Sequence, residues 1–177
     1  MIPVILLGEK SDRRLYHALC RLLAHRCGHC GQDGFCWQQG ADVLLIEQPQ
    51  GNRLDVGGGL IVVGENFSAQ YAPAHLLHAQ YVVVSNTEPA RLFAAGCGLP
   101  VLGCGGRFDS LSFSSRQEQT VITLQQDLQR LDGGKLPAGD YPVELPVELE
   151  DDDLLLCAAV LLLLGEDLKI ESARNIL

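Results

Sequence analysis

The sequence predicts an α/β domain: a mainly parallel sheet flanked by helices in three layers, with an antiparallel β-rich edge. Short runs of branched apolar residues at 3–7, 42–47 (DVLLIE), 60–63 (LIVV) and 81–85 (YVVVS) have the texture of strands buried on both faces. Helix-forming segments with start and stop signals alternate with them. After Gly106 the texture changes to β-formers and turn residues, which adds antiparallel strands.

Taken in order, the first strand ends at Gly8, and Ser11 is placed to cap a helix with Asp12 near its positive end. Leu15, Leu19, Leu22 and Leu23 recur at helical spacing, with Gly28 or Gly31 as the stop. Residues 35–38 suggest a short strand before DVLLIE. The segment after Pro73, with His75 and His78 three apart, has helical character. YVVVS runs into Ser85-Asn86-Thr87-Glu88-Pro89, a capping box opening a helix over 89–95 that Gly96 ends. A strand over 100–103 follows.

Residues 111–116 and 119–124 read as strands, and Asp132-Gly133-Gly134 as a turn. The stretch 141–149 is extended, with Pro142 and Pro146 confining it to an edge or loop. Asp151, Asp152 and Asp153 start a last helix over 154–164 that Gly165 closes, and the tail 166–177 either adds a short helix or frays. The expected organisation is one domain over 1–177: a parallel core (1–106), a β-rich edge (107–149) and a helical segment (150–177).

Composition narrows the function classes. With 13 Lys plus Arg against 22 Asp plus Glu, the net charge is −9, which argues against a nucleic-acid partner because phosphate binding needs clustered cations. At 47% apolar the 177-residue chain can bury a core without metal or disulfide staples. The apolar run 154–164 is far short of the roughly 20 residues that cross a bilayer, so no membrane insertion is expected. Seven cysteines, an odd number, and no recognisable signal peptide point to reduced thiols in a cytoplasmic protein.

Ligands of open parallel sheets bind beyond the strands' carboxyl ends, so the segments after strands hold the candidate sites. Gly8, Lys10 and Ser11 combine a glycine turn, a cation and a hydroxyl at a helix start, which suits either a phosphate or a plain capped turn. Glu47, at a strand end, can hold Mg²⁺ beside a nucleotide or stand as an ordinary acidic terminus. Asn86 and Thr87 are ligand candidates as well as capping residues, and residues 103–107 (GCGGR) resemble a glycine loop without a helix behind it. Cys27 and Cys30 form a CxxC, with His25 and Cys36 nearby, read as a weak zinc site at a helix end or as incidental thiols.

In this order the motifs resemble the central domain of the Mur ligases, the ATP-dependent amide-forming enzymes of peptidoglycan synthesis. The matching features are the strand-turn-helix over 2–23, the strand ending at Glu47, Asn86-Thr87-Glu88-Pro89, Val101-Leu102-Gly103, the β-rich stretch 113–145, and Ala158-Ala159 leading to Gly165. The resemblance implies a metal-binding role for Glu47 and a phosphate role for Lys10 and Ser11. Against it, the Gly-Lys-Thr loop is shortened to Gly8-Glu9-Lys10-Ser11, and Glu65-Asn66-Phe67 replaces an Asp-His pair. The family's asparagine ahead of the Ala-Ala helix lacks a counterpart among residues 153–156.

The leading expectation is a non-catalytic Mur-ligase-like domain with an eroded P-loop, bound to no cofactor, acting as a regulatory or interaction protein through a protein partner or self-association. A Mg-nucleotide or phosphate binder using Gly8, Lys10, Ser11 and Glu47 is the alternative, and a zinc protein using Cys27 and Cys30 the second.

Overall fold

The computed structural model describes residues 1–9, 11–47, 53–107 and 109–169. The elements in chain order are β1 (Ile2–Leu7), α1 (Arg14–Leu22), β2 (Cys27–Gly31), β3 (Gly34–Cys36), β4 (Val43–Glu47), β5 (Arg53–Asp55), β6 (Leu60–Val63), β7 (His75–Leu77), β8 (Tyr81–Val84), α2 (Glu88–Cys97) and β9 (Val101–Gly103). They continue with β10 (Leu111–Ser115), β11 (Val121–Leu124), β12 (Leu128–Gln129), β13 (Lys135–Leu136), β14 (Gly139–Pro142) and α3 (Asp151–Leu164).

The main sheet has the order β3-β2-β4-β1-β6-β8-β9, and every neighbour pair is parallel except β2 with β3. Successive side chains of a strand point to opposite faces, and the core divides accordingly. Val4, Leu6, Leu60, Val62 and Val83 face α1 and α3. Ile5, Leu7, Ile61, Val63, Val82 and Val84 face Ala90 and Ala94 of α2. That two-sided burial explains why the central strands are apolar at consecutive positions.

Helix α3 is buried on nearly every side, between the main sheet, α1 and the strands after Gly106. Its three leading aspartates occupy the first turn, where the helix dipole favours negative charge, and Gly165 adopts φ 80° to end it. The antiparallel strands β10, β11 and β14 form a sheet of their own, joined to the main one by a bridge between Cys104 and Leu111. Pro142 lies on the edge strand β14, where its missing N–H costs least. The Asp132-Gly133-Gly134 turn joins β12 to β13, with the Asp132 carboxylate accepting from the Gly134 amide at 2.7 Å.

Several local expectations are corrected. Helix α1 starts at Arg14 without a side-chain cap, so Ser11 does not cap it. The helix ends at Leu22 rather than at a glycine. Gly28 and Gly31 belong to β2, where they permit close approach: a Cβ on Gly28 would lie 2.3 Å from the Trp37 ring, and one on Gly31 2.7 Å from the Tyr16 hydroxyl. Gly96 stays helical, and Gly98 at φ 66° is the stop. Thr87 occupies the N-cap position of α2 with no side-chain cap bond, so the capping box is not formed. His75 lies on β7, paired with β5, rather than on a helix. The segment 170–177, expected as a helix or frayed tail, lies outside the described residues.

Candidate functional site

The carboxyl ends of β1, β4 and β6 converge where the strand order reverses about β1, the crevice in which doubly wound sheets bind ligands. Gly8 and Glu9 follow β1, Glu47 ends β4, and Gly64, Glu65 and Asn66 follow β6; all line one cavity with Asp12, Tyr16 and Asp153. Its volume is about 30 Å³, room for a water molecule or two. The connection from β1 to α1 is short: the Asp12 amide donates to the Glu9 carbonyl at 3.0 Å, closing a tight turn.

Two arginines at the start of α1 organise the carboxylates. Arg13 donates from Nε to Glu47 Oε1 at 2.7 Å and from Nη1 to Asp33 Oδ2 at 2.6 Å. The second Glu47 oxygen accepts the Gln32 amide at 3.1 Å, and the Glu47 side chain is only 4% exposed. Arg14 reaches Asp12 at 3.0 Å, Glu65 at 2.7 Å and Glu150 at 2.6 Å, with Asp153 at 3.8 Å. Asn66 adds a bond to Asp12 at 2.6 Å.

These surroundings pull the carboxyls apart in acidity. The Arg14 guanidinium lowers the Asp12 carboxyl to about 2. Asp153 is buried at the start of α3 and desolvation raises it to about 6, helped by the negative charges of Asp12, Glu65 and Glu150. Asp152 is raised for the same reason, with Glu65 its nearest opponent. Both partner carboxylates hold Arg13 further above the usual arginine range.

A magnesium ion does not fit Glu47 in this arrangement. Mg²⁺ needs octahedral oxygen ligands and keeps several waters, whereas both Glu47 oxygens are already engaged, Oε1 by the Arg13 cation and Oε2 by the Gln32 amide, so a metal would have to displace the guanidinium.

The glycine loop after β9 is likewise filled from within. Asp109 Oδ2 accepts the Gly106 amide at 2.5 Å, and Arg91 binds both Asp109 oxygens at 2.7 Å. A Cβ on Gly103 would sit 2.8 Å from Asp109 Oδ1, so this glycine gives the carboxylate its seat.

Of the sequence-derived candidates, Gly8 and Glu47 line the same cavity. Lys10 lies outside the described residues, and Ser11 is exposed in the turn. Asn86 is exposed and Thr87 half-buried after β8; they do not line the cavity, and the Thr87 hydroxyl bonds that of Ser85 at 3.3 Å. Cys27 and Cys30 sit on a strand, not at a helix end, and being three apart they point to opposite faces. Burial raises the Cys27 thiol, whose Sγ lies 2.9 Å from the Gly28 carbonyl. No cluster of three or more His, Cys, Asp or Glu side chains able to hold a metal is present among the described residues.

Arg13, Arg14, Asp153 and Asp109 are the site residues that sequence reasoning missed. The adjacent pair Arg13-Arg14 at a helix start, where the dipole disfavours cations, was the available signal that nearby carboxylates must compensate.

No protein-family profile matches the chain, and no curated protein matches it by sequence. Among solved structures it is similar to the UDP-N-acetylmuramoylalanyl-D-glutamyl-2,6-diaminopimelate–D-alanyl-D-alanyl ligase from Acinetobacter baumannii, with a TM-score of 0.58 and 10% identity over 96% of this chain and 44% of that one. It is also similar to E. coli FolC in complex with DHPP and ADP, at 0.55 and 10% over 94% of this chain and 54% of that one. The chain thus spans about half the length of these two solved structures. No helix among the described residues is long and apolar enough to cross a membrane. What the likeness establishes is architecture: this chain has a Mur-ligase-like α/β fold.

Proposed function

We propose that this chain is a Mur-ligase-like domain that does not turn over ATP and acts from the cytoplasm through its surface, as a regulatory or interaction protein. The observation that carries the reading is the Arg13–Glu47 ion pair: a protein cation neutralises the carboxylate at the strand end where a metal-dependent ligase would need a free one. The small cavity, the short turn from β1 to α1 and the Asp109-filled glycine loop support it, since each leaves little room for a triphosphate.

The test is calorimetric titration with Mg-ATP together with a steady-state assay of ATP hydrolysis. No binding heat and no phosphate release are expected. Saturable binding lost on Lys10→Ala would replace this reading with a nucleotide-binding one.

A further inference from the structure

We propose that the edge strand β3 is a self-association surface, on which a second copy of this chain lays its own β3 antiparallel, with the two-fold axis at Phe35. Among the described residues, strand β3 ends the seven-stranded sheet and pairs on one side only, with β2. All three of its residues are exposed: Phe35 is 67% accessible, and Trp37 just beyond it 42%. The Trp37 ring lies against Gly28, where no Cβ intervenes.

Edge strands are ordinarily blunted by lysine, proline, a bulge or extreme shortness; β3 has no lysine, proline or bulge, and its three residues confine any pairing to the segment about Phe35. Charge selects the partner. The run from Gly34 to Ala41 contains no Asp, Glu, Lys or Arg, while the whole chain carries −9. Two copies repel one another over most orientations, but not when these uncharged segments meet.

Backbone geometry selects the register. Gly31 and Gly34 flank the two-residue turn Gln32-Asp33, so they exchange hydrogen bonds and the next pair, Cys30 and Phe35, turns its outer backbone groups away from the hairpin. Phe35 of one copy then exchanges bonds with Phe35 of the other, Gly34 faces Cys36, and Asp33 faces Trp37. The nearest charge, Asp33, is already held by Arg13 at 2.6 Å and meets no like charge across the axis. This contact is isologous and closes at the dimer. At the opposite sheet edge, Asp109 folds back against Gly103 of β9, so that side is partly occupied.

The inference names the partner in the surface-acting reading above and rests on that reading for its biological sense; nucleotide binding is read by heat and dimerisation by mass, so either can fail alone. Sedimentation equilibrium of the full chain in reductant is expected to give twice the chain mass. Phe35→Glu and Phe35→Lys each weaken the dimer at least about tenfold, with unfolding midpoints near wild type because the replaced ring is exposed. Mixing the two variants restores the dimer, since the introduced charges face one another across the axis. Leu92→Glu, on the exposed face of α2, leaves the mass unchanged. A monomeric wild type, a dimer dispersed by reductant (a Cys36 disulfide), dissociation by Leu92→Glu, or failure of the mixed variants to associate would each overturn the proposal.

Discussion

Arg13 is the counter-ion of Glu47: its Nε donates to Oε1 at 2.7 Å, and the carboxylate it neutralises is almost completely buried. The same guanidinium continues to Asp33, tying the β2–β3 turn to the end of β4. Removing one member of such a pair leaves the other charge stranded in a low dielectric, which costs more than losing a surface ion pair.

Arg13→Ala is therefore expected to lower the thermal midpoint by several degrees. It also frees one Glu47 oxygen, so millimolar Mg²⁺ should stabilise the variant and leave wild type unaffected. Thermal unfolding with and without Mg²⁺ checks both, and an equal response in the two proteins would contradict the placement of Arg13.

Asp109 fills the glycine loop with its own carboxylate, accepting from Gly106 and from Arg91. Asp109→Ala is expected to cost about 1–3 kcal/mol in chemical denaturation, the worth of bonds to a charged acceptor. Inorganic phosphate should recover part of that loss in the variant and do nothing for wild type. No phosphate effect in the variant would mean that the loop is held open by the chain and has no affinity for anions.

Asp153 makes stability depend on pH. Its carboxyl titrates near 6 in the folded protein against 3.8 for the ordinary group, because burial penalises the charged form. Between those values the folded state holds the proton more tightly, so its contribution is present at low pH and lost as pH rises towards 6. Asp153→Asn should therefore gain on the order of 1–3 kcal/mol above pH 7 and almost nothing near pH 4. Asp12 works in the opposite sense: drawn down to about 2 by Arg14, it stabilises above 3.8 and that contribution is lost as pH falls. Urea midpoints of wild type and variant across pH 4 to 8 test the Asp153 prediction; a variant curve parallel to wild type would refute it.

The central strands were legible because each is buried on both faces, and a run such as LIVV has few other uses in a folded chain. Glu47 was legible for the same reason: a charge that ends a buried strand lies at the sheet's carboxyl edge by construction. The β2 strand was not, because Cys27-Gly28-His29-Cys30-Gly31 has the composition of a turn. It becomes a strand only because Val43 to Ile46 offer it a ladder and Trp37 covers its glycine.

Local pattern alone determined the α/β class, the four central strands, the helix closed by Gly165 and the set of segments able to carry a site. Tertiary structure alone decided what those segments do to one another. Arg13 meets Glu47 across 34 positions, Arg14 gathers carboxylates from three separate elements and loops, and Asp109 turns back into the glycine loop. Burial and periodicity act on near neighbours and leave a trace in the order of residues, whereas ion pairing depends on distance in space, which sequence order does not encode.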